Sequence, residues 1–295
     1  MPPSTGLRAR MRAELTAEIK DEARRQLAVE GAPGLSLRAV TRSLGMASSA
    51  IYRYFPSRDD LLTALIVDAY DAIGVTAEQA DAACRREDYG GRWRAVGLAI
   101  RAWALASPHE YALVYGSPVP GYRAPEDTVG PASRVTLVLA RLVDEASLDG
   151  ALTEPVAGSG LPPLAAEALE ESRRLADVAF PHAPDHVVVR AVIAWTQLFG
   201  MISFELFGHF HSVIDNVEPV FERALLETGR LVGFPAPEHG RRTGEVGRSD
   251  GGANRSAVRP EAPGGEQQRG CADGEGGDQR RGGADGAGGE PFYLV

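Results

Sequence analysis

Apolar residues recur every third or fourth position through most of the first 232 residues, and nowhere do they alternate with polar ones over the length of a strand. That period lines one face of successive helices, so the fold class is all-α. Ser36 stands before Leu37, Val40 and Leu44 as an N-cap, and Gly45 stands where a left-handed C-cap favours glycine. Met46 re-enters the core. Ser48 opens a second short helix with Ile51 and Phe55 on its buried face, and Pro56 ends it. Ser57 with Asp60 reads as a capping box. The next helix covers 59–84 through Leu61, Leu62, Leu65, Ile66, Ala69 and Ile73, with a bend predicted near Gly74. Further helices are predicted at 91–106, 108–115, 133–146, 164–180, 186–210 and 217–232, with loops at 116–131 and 150–163. From about residue 235 the period stops. That tail holds 16 of the 34 glycines, and such a composition cannot bury enough apolar surface to offset ordering. The domains expected are 9–62, 63–234 and a disordered tail, 235–295.

Two short helices across a three- or four-residue turn containing glycine make a helix-turn-helix unit, whose second helix enters the major groove of DNA. The exposed side chains have the matching chemistry. Arg38, Ser48, Ser49 and Arg53 are the candidates for base edges, and Tyr52, Tyr54 and Arg58 for phosphates, since most protein–DNA hydrogen bonds go to the backbone. Arg42 lies on the preceding helix. Arg8, Arg10 and Arg12 read as a basic arm ahead of the first helix.

Ile19, Ala23, Leu27, Glu30-Gly31, Leu35-Ser36-Leu37, Gly45-Met46 and the run Ile51-Tyr52-Arg53-Tyr54-Phe55-Pro56-Ser57-Arg58 before Leu61-Leu62 resemble the TetR family of transcriptional regulators. The resemblance spans about residues 15–65. Thr41 stands where that family usually has alanine, and Arg58 where lysine is commoner. Trp103 to Tyr111 (WALASPHEY), with Trp195, Phe199-Gly200 and Glu205, resembles a TetR ligand domain named for a Trp-His-Gly signature, Phe199 standing in place of the histidine. The resemblance implies a repressor released from a palindromic operator by an effector. It also implies a homodimer formed by the last helix pair, with Val189, Val192, Trp195, Phe221, Leu225 and Leu226 as interface candidates.

Charge sharpens the first part of this reading. Residues 1–58 carry 10 Lys or Arg against 5 Asp or Glu, while the whole chain is −9. A basic module on an acidic body is an electrostatic footprint for nucleic acid. For the ligand, Trp195, Phe199 and Ile202 share a face of the 186–210 helix with Glu205 at its edge, and Trp103, Tyr111 and Tyr115 are candidates from earlier helices. Such a lining suits a small, partly apolar effector. Glu205 invites an answer from a ligand or partner chain, because a buried carboxylate must be paired or neutralised.

Other classes find little support. The chain shows no Gly-rich phosphate loop or nucleophile elbow. No metal is expected, since Pro184 spoils the helical spacing of His182 and His186, and no cofactor is implied. Cys84 and Cys271 make no disulfide framework. No signal peptide and no stretch of roughly 20 apolar residues is visible, so the expectation is a cytoplasmic, non-enzymatic protein off the membrane. The alternative is an interaction protein using the helix-turn-helix unit for protein contact.

Overall fold

The first helix begins well before any apolar stripe appears. The computed structural model describes residues 4–153 and 163–236, and in it α1 spans Ser4–Gly34 with a kink at Gly31 (φ +70°). Arg8, Arg10 and Arg12 therefore lie on its first turns rather than on an arm. The segment is rich in good helix formers (Leu, Arg, Met, Ala), but its side chains are exposed on every side, so no periodic face announces it. The tail beyond residue 236, Cys271 and residues 154–162 of the second loop lie outside the described residues.

α2 (Leu37–Ser43) starts and stops as its caps dictate. The Ser36 hydroxyl accepts from the Ala39 N–H at 3.4 Å. At the other end the Gly45 N–H donates to the Arg42 carbonyl and the Met46 N–H to the Thr41 carbonyl. This is a Schellman closure around a residue at φ +63°, a conformation cheap only for glycine. Thr41 fits the crowded approach of the helices: it is buried, and its hydroxyl donates to the Arg38 carbonyl at 3.0 Å. The expected second helix is shorter than predicted. A turn from Ser48 leads into a single 3-10 turn, Ile51–Arg53, whose N-cap is Ala50 and not Ser48. Seven residues between Ala47 and Phe55, three of them aromatic or β-branched and closed off by Pro56, are too few to repay helix nucleation. Ile51 and Phe55 still bury as the spacing requires.

α3 (Arg58–Ala82) carries the capping box. The Ser57 hydroxyl accepts from the Asp60 N–H and donates to the Asp60 carboxylate. The helix runs through residue 62 without a break, so both cores share it. It also runs straight through Gly74, where α6 crosses closely: a Cβ there would sit 2.8 Å from Cβ of Arg134. The remaining helices are α4 (Tyr89–Ala106), α5 (Pro108–Tyr115), α6 (Val129–Leu148), α7 (Ala166–Ala179), α8 (Asp185–Leu206) and α9 (Val217–Val232). Among the described residues no strand occurs. One core gathers Ile19, Leu27, Val40, Ile51, Phe55 and Leu65. The second gathers Ile73, Trp93, Ile100, Leu142, Ile202 and Phe221. Asp81, buried on α3, accepts from the Nε of Arg92 at 2.7 Å, and Arg92, only 1% exposed, ties α4 to it. α8 is long and apolar enough to cross a membrane by length and composition, with a mean hydropathy of 1.7. Its inward face packs into the second core.

Candidate nucleic-acid interface and aromatic core

Arg38, Ser48, Ser49, Tyr52 and Arg53 all stand exposed around α2 and the turn that follows it. Tyr52 has half its surface in solvent. None has a side-chain hydrogen bond that would have to be broken to meet a ligand. Tyr54 is half-buried, with the Arg12 guanidinium 5.3 Å over its ring. Arg12 also donates to the Arg53 carbonyl at 2.8 Å, which clasps the recognition turn onto α1. Sequence reasoning missed this role, because 41 residues separate the partners and no local spacing signals it.

Arg58 is the second difference. Its Nε donates to the Leu35 carbonyl at 3.1 Å and its Nη2 to the Ala32 carbonyl at 2.6 Å, while Nη1 meets Asp59. The guanidinium closes the chain between α1 and α2 against the start of α3. Three of its five N–H donors are engaged within the chain, two of them on carbonyls that join α1 to α2, so it braces the reading turn.

Ties run from this module to α5 and the segment that follows it. Arg24 on α1 bonds Asp68 on α3 at 2.7 Å and Glu110 on α5 at 2.9 Å. The Thr63 and Tyr122 hydroxyls meet at 2.9 Å. Tyr70 on α3 donates to the Val114 carbonyl. Burial pushes the Tyr70 and Tyr115 hydroxyls up from their ordinary pKa, so both stay protonated.

The expected ligand residues meet one another more than they line a space. Trp195 and Phe199 lie 6.1 Å apart between ring centres, Phe199 and Tyr115 4.5 Å, Tyr115 and Tyr111 5.1 Å, and Tyr115 and Tyr70 6.0 Å. The Tyr111 hydroxyl bonds Ser203 at 2.9 Å and donates to the Phe199 carbonyl. Ile202 is fully buried, and Trp103 packs against the same core. Glu205 is answered within the chain by Arg101, two charge-assisted bonds of 2.7 and 2.6 Å, a bidentate pairing that satisfies a carboxylate well. α8 ends at Leu206 because Gly208 turns left-handed (φ +79°), so the helix predicted over 186–210 stops four residues short of its expected end.

Phe221 and Leu225, expected at a dimer surface, point into their own core. The outer faces of α8 and α9 instead present Ile193 (48% exposed), Phe204 (52%), Val220 and Leu231.

Comparison with known proteins agrees with this architecture. The family model described as bacterial regulatory proteins, tetR family, matches residues 19–65, and one described as the tetracyclin repressor-like C-terminal domain matches 93–228. The chain is 41% identical over 208 residues to the HTH-type transcriptional regulator Rv1816 of Mycobacterium tuberculosis, covering 70% of this chain and 86% of that one. Among solved structures, the regulatory protein SCO4313 superposes with a TM-score of 0.60 at 34% identity, covering 75% of this chain and 97% of its own. A protein of unknown function from Rhodococcus sp. RHA1 superposes at 0.57 with 21% identity, over 74% and 95%, a likeness of fold alone. The chain therefore belongs to the TetR family of bacterial transcriptional regulators.

Proposed function

We propose that the protein is a homodimeric repressor that binds a palindromic operator and is released from it by a small effector. The observation that carries the DNA reading is the row of exposed donors, Arg38, Ser48, Ser49, Tyr52 and Arg53, on a turn clasped from both sides by Arg12 and Arg58. Pre-positioned donors on a rigid element favour sequence readout over sequence-blind adhesion. Arg38, Ser48, Ser49 and Arg53 reach bases in this reading, and Tyr52 and Tyr54 reach phosphates.

Two recognition turns about one DNA turn apart require a twofold dimer. Ile193 and Phe204 lie eleven residues apart on α8, hence on one face, and leave a large apolar surface on a solvent-facing helix. Large apolar side chains exposed along one helix face suit an interaction site, and Gly200 between them leaves open space for a partner helix. Release then follows by linkage: an effector shifts the equilibrium only by its preference for the DNA-incompetent state.

Selection of bound DNA from a random pool at moderate salt tests the reading. Enrichment of one palindromic site is the expected result. Binding that is weak, indifferent to sequence and abolished by salt would overturn it and favour the protein-contact alternative.

A further inference from the structure

We infer that the effector is an uncharged compound of a single benzene-sized ring, held in a cavity beneath α7. This inference rests on the reading of the C-terminal domain as an effector-binding domain. The cavity measures about 120 Å³ and lies between α4, α6, α7 and α8. Trp93 and Trp195 form two of its walls, and Leu139, Val143 and Leu175 close much of the rest.

The lining decides the chemistry. It contains no charged side chain, so a carboxylate or ammonium entering it would lose its hydration without gaining a partner. Its polar side-chain atoms are few. The Thr136 hydroxyl is one; the indole N–H of Trp93 is already donating to the Leu225 carbonyl at 2.9 Å. Water needs two to four polar partners to reside in a cavity, and apolar cavities stay dry. The volume sets the size: a dry cavity of about 150 Å³ holds one benzene, so 120 Å³ takes one small ring and excludes two fused rings. Trp93, Phe180 and Trp195 supply its aromatic walls, and the rest of the lining apart from Thr136 is aliphatic.

Its position gives occupancy a consequence. Trp195 lines the cavity and meets Phe199, which stacks on Tyr115, which meets Tyr70 on α3, the helix that begins in the DNA-binding module. A ring pressed against Trp195 bears on that row of rings. The pocket expected from Trp103, Tyr111 and Glu205 is thus displaced by about two helical turns toward the N-terminal half of α8.

The test uses the full chain, toluene as the uncharged probe and benzoate as its charged counterpart. Melting temperature and affinity for the selected operator are both read. Toluene is expected to raise the melting temperature, because it binds only the folded state, and to weaken operator affinity on the order of tenfold. Benzoate is expected to do neither. Ala140→Leu fills the cavity and should abolish the toluene-induced rise while still melting cooperatively; if that variant does not fold, Leu175→Phe fills the same space from the half-buried face of α7. Equal responses to toluene and benzoate, or a folded filled variant that keeps the toluene response, overturn the proposal. A wild-type protein that selects an operator yet ignores toluene overturns it too, and leaves the DNA reading standing. A protein that selects no DNA site but shows the toluene rise, lost on filling, upholds the cavity while the operator reading falls.

Discussion

Arg53 and Arg58 lie five residues apart in one signature run but stand in different settings. Arg53 is exposed and free to meet a base; Arg58 holds two carbonyls of its own chain. Arg53→Ala should leave the urea midpoint nearly unchanged and cost operator affinity about 1–3 kcal/mol, the range for a good base contact. Arg58→Ala should lower stability by about 2 kcal/mol, since hydrogen bonds from a charged donor contribute about 1.5–3, with the salt slope of DNA binding unchanged. A reduced salt slope for Arg58→Ala in titrations at several salt concentrations would return Arg58 to the phosphate contacts. The distinction was not legible in the sequence, because the partners Ala32 and Leu35 lie across a turn whose path only the fold defines. The same holds for Arg101, which answers Glu205 from 104 residues away. Asp81 makes a residue-scale prediction with a pH sign. Burial raises its pKa, but the bonds from Arg92 and Arg86 outweigh this and leave it below the ordinary value. Its contribution is therefore whole above about pH 4, the unfolded value, and lost as pH falls through the lower folded one. Asp81→Asn should cost about 2 kcal/mol near neutrality, because the Arg92 guanidinium, 1% exposed, loses its bidentate carboxylate and keeps only Glu145 and the Arg86 carbonyl. It should also flatten stability below pH 4 relative to wild type, measured by urea melts across pH.

Glycine within a helix usually weakens it, so replacing one by alanine usually helps by about 1 kcal/mol. Gly74 in the middle of α3 should reverse that sign. An added Cβ would lie 2.8 Å from Cβ of Arg134, which is the root of that side chain and cannot swing away. Gly74→Ala should therefore lower the melting temperature and loosen α6 from α3; a stabilised variant would show that α6 can yield. This contact explains why the predicted bend is absent: the glycine serves a crossing rather than a break. Helix existence was legible wherever an apolar stripe met a core, as at Val217–Val232, whose observed limits equal the predicted ones. It was illegible in the first turns of α1, which bury nothing. The recognition segment shows the complementary limit. Its buried pair, Ile51 and Phe55, was read correctly, but periodicity cannot tell a full helical turn from a 3-10 turn when only two positions are sampled.

At the scale of the whole molecule, one chain presents one reading turn, and one turn reads too few bases to single out a site among the many competing ones. Recognition therefore depends on what the outer faces of α8 and α9 do. Ile193 and Phe204 keep about half their surfaces in solvent on the most apolar helix among the described residues. Burying that face against its twofold copy removes the exposure and sets the two reading turns at a fixed distance. A charge on that face should separate the copies, since an unpaired carboxylate in a desolvated interface has no partner there. Ile193→Glu is thus expected to shift the protein from dimer to monomer in light scattering at micromolar concentration. Its helical circular dichroism should persist, because the position lies outside the core of the single chain. Operator affinity should fall steeply, while binding to a half-site falls little. If the variant stays dimeric and still binds the full operator, the copies meet through another face, and the spacing of the two half-sites has to be derived from that one.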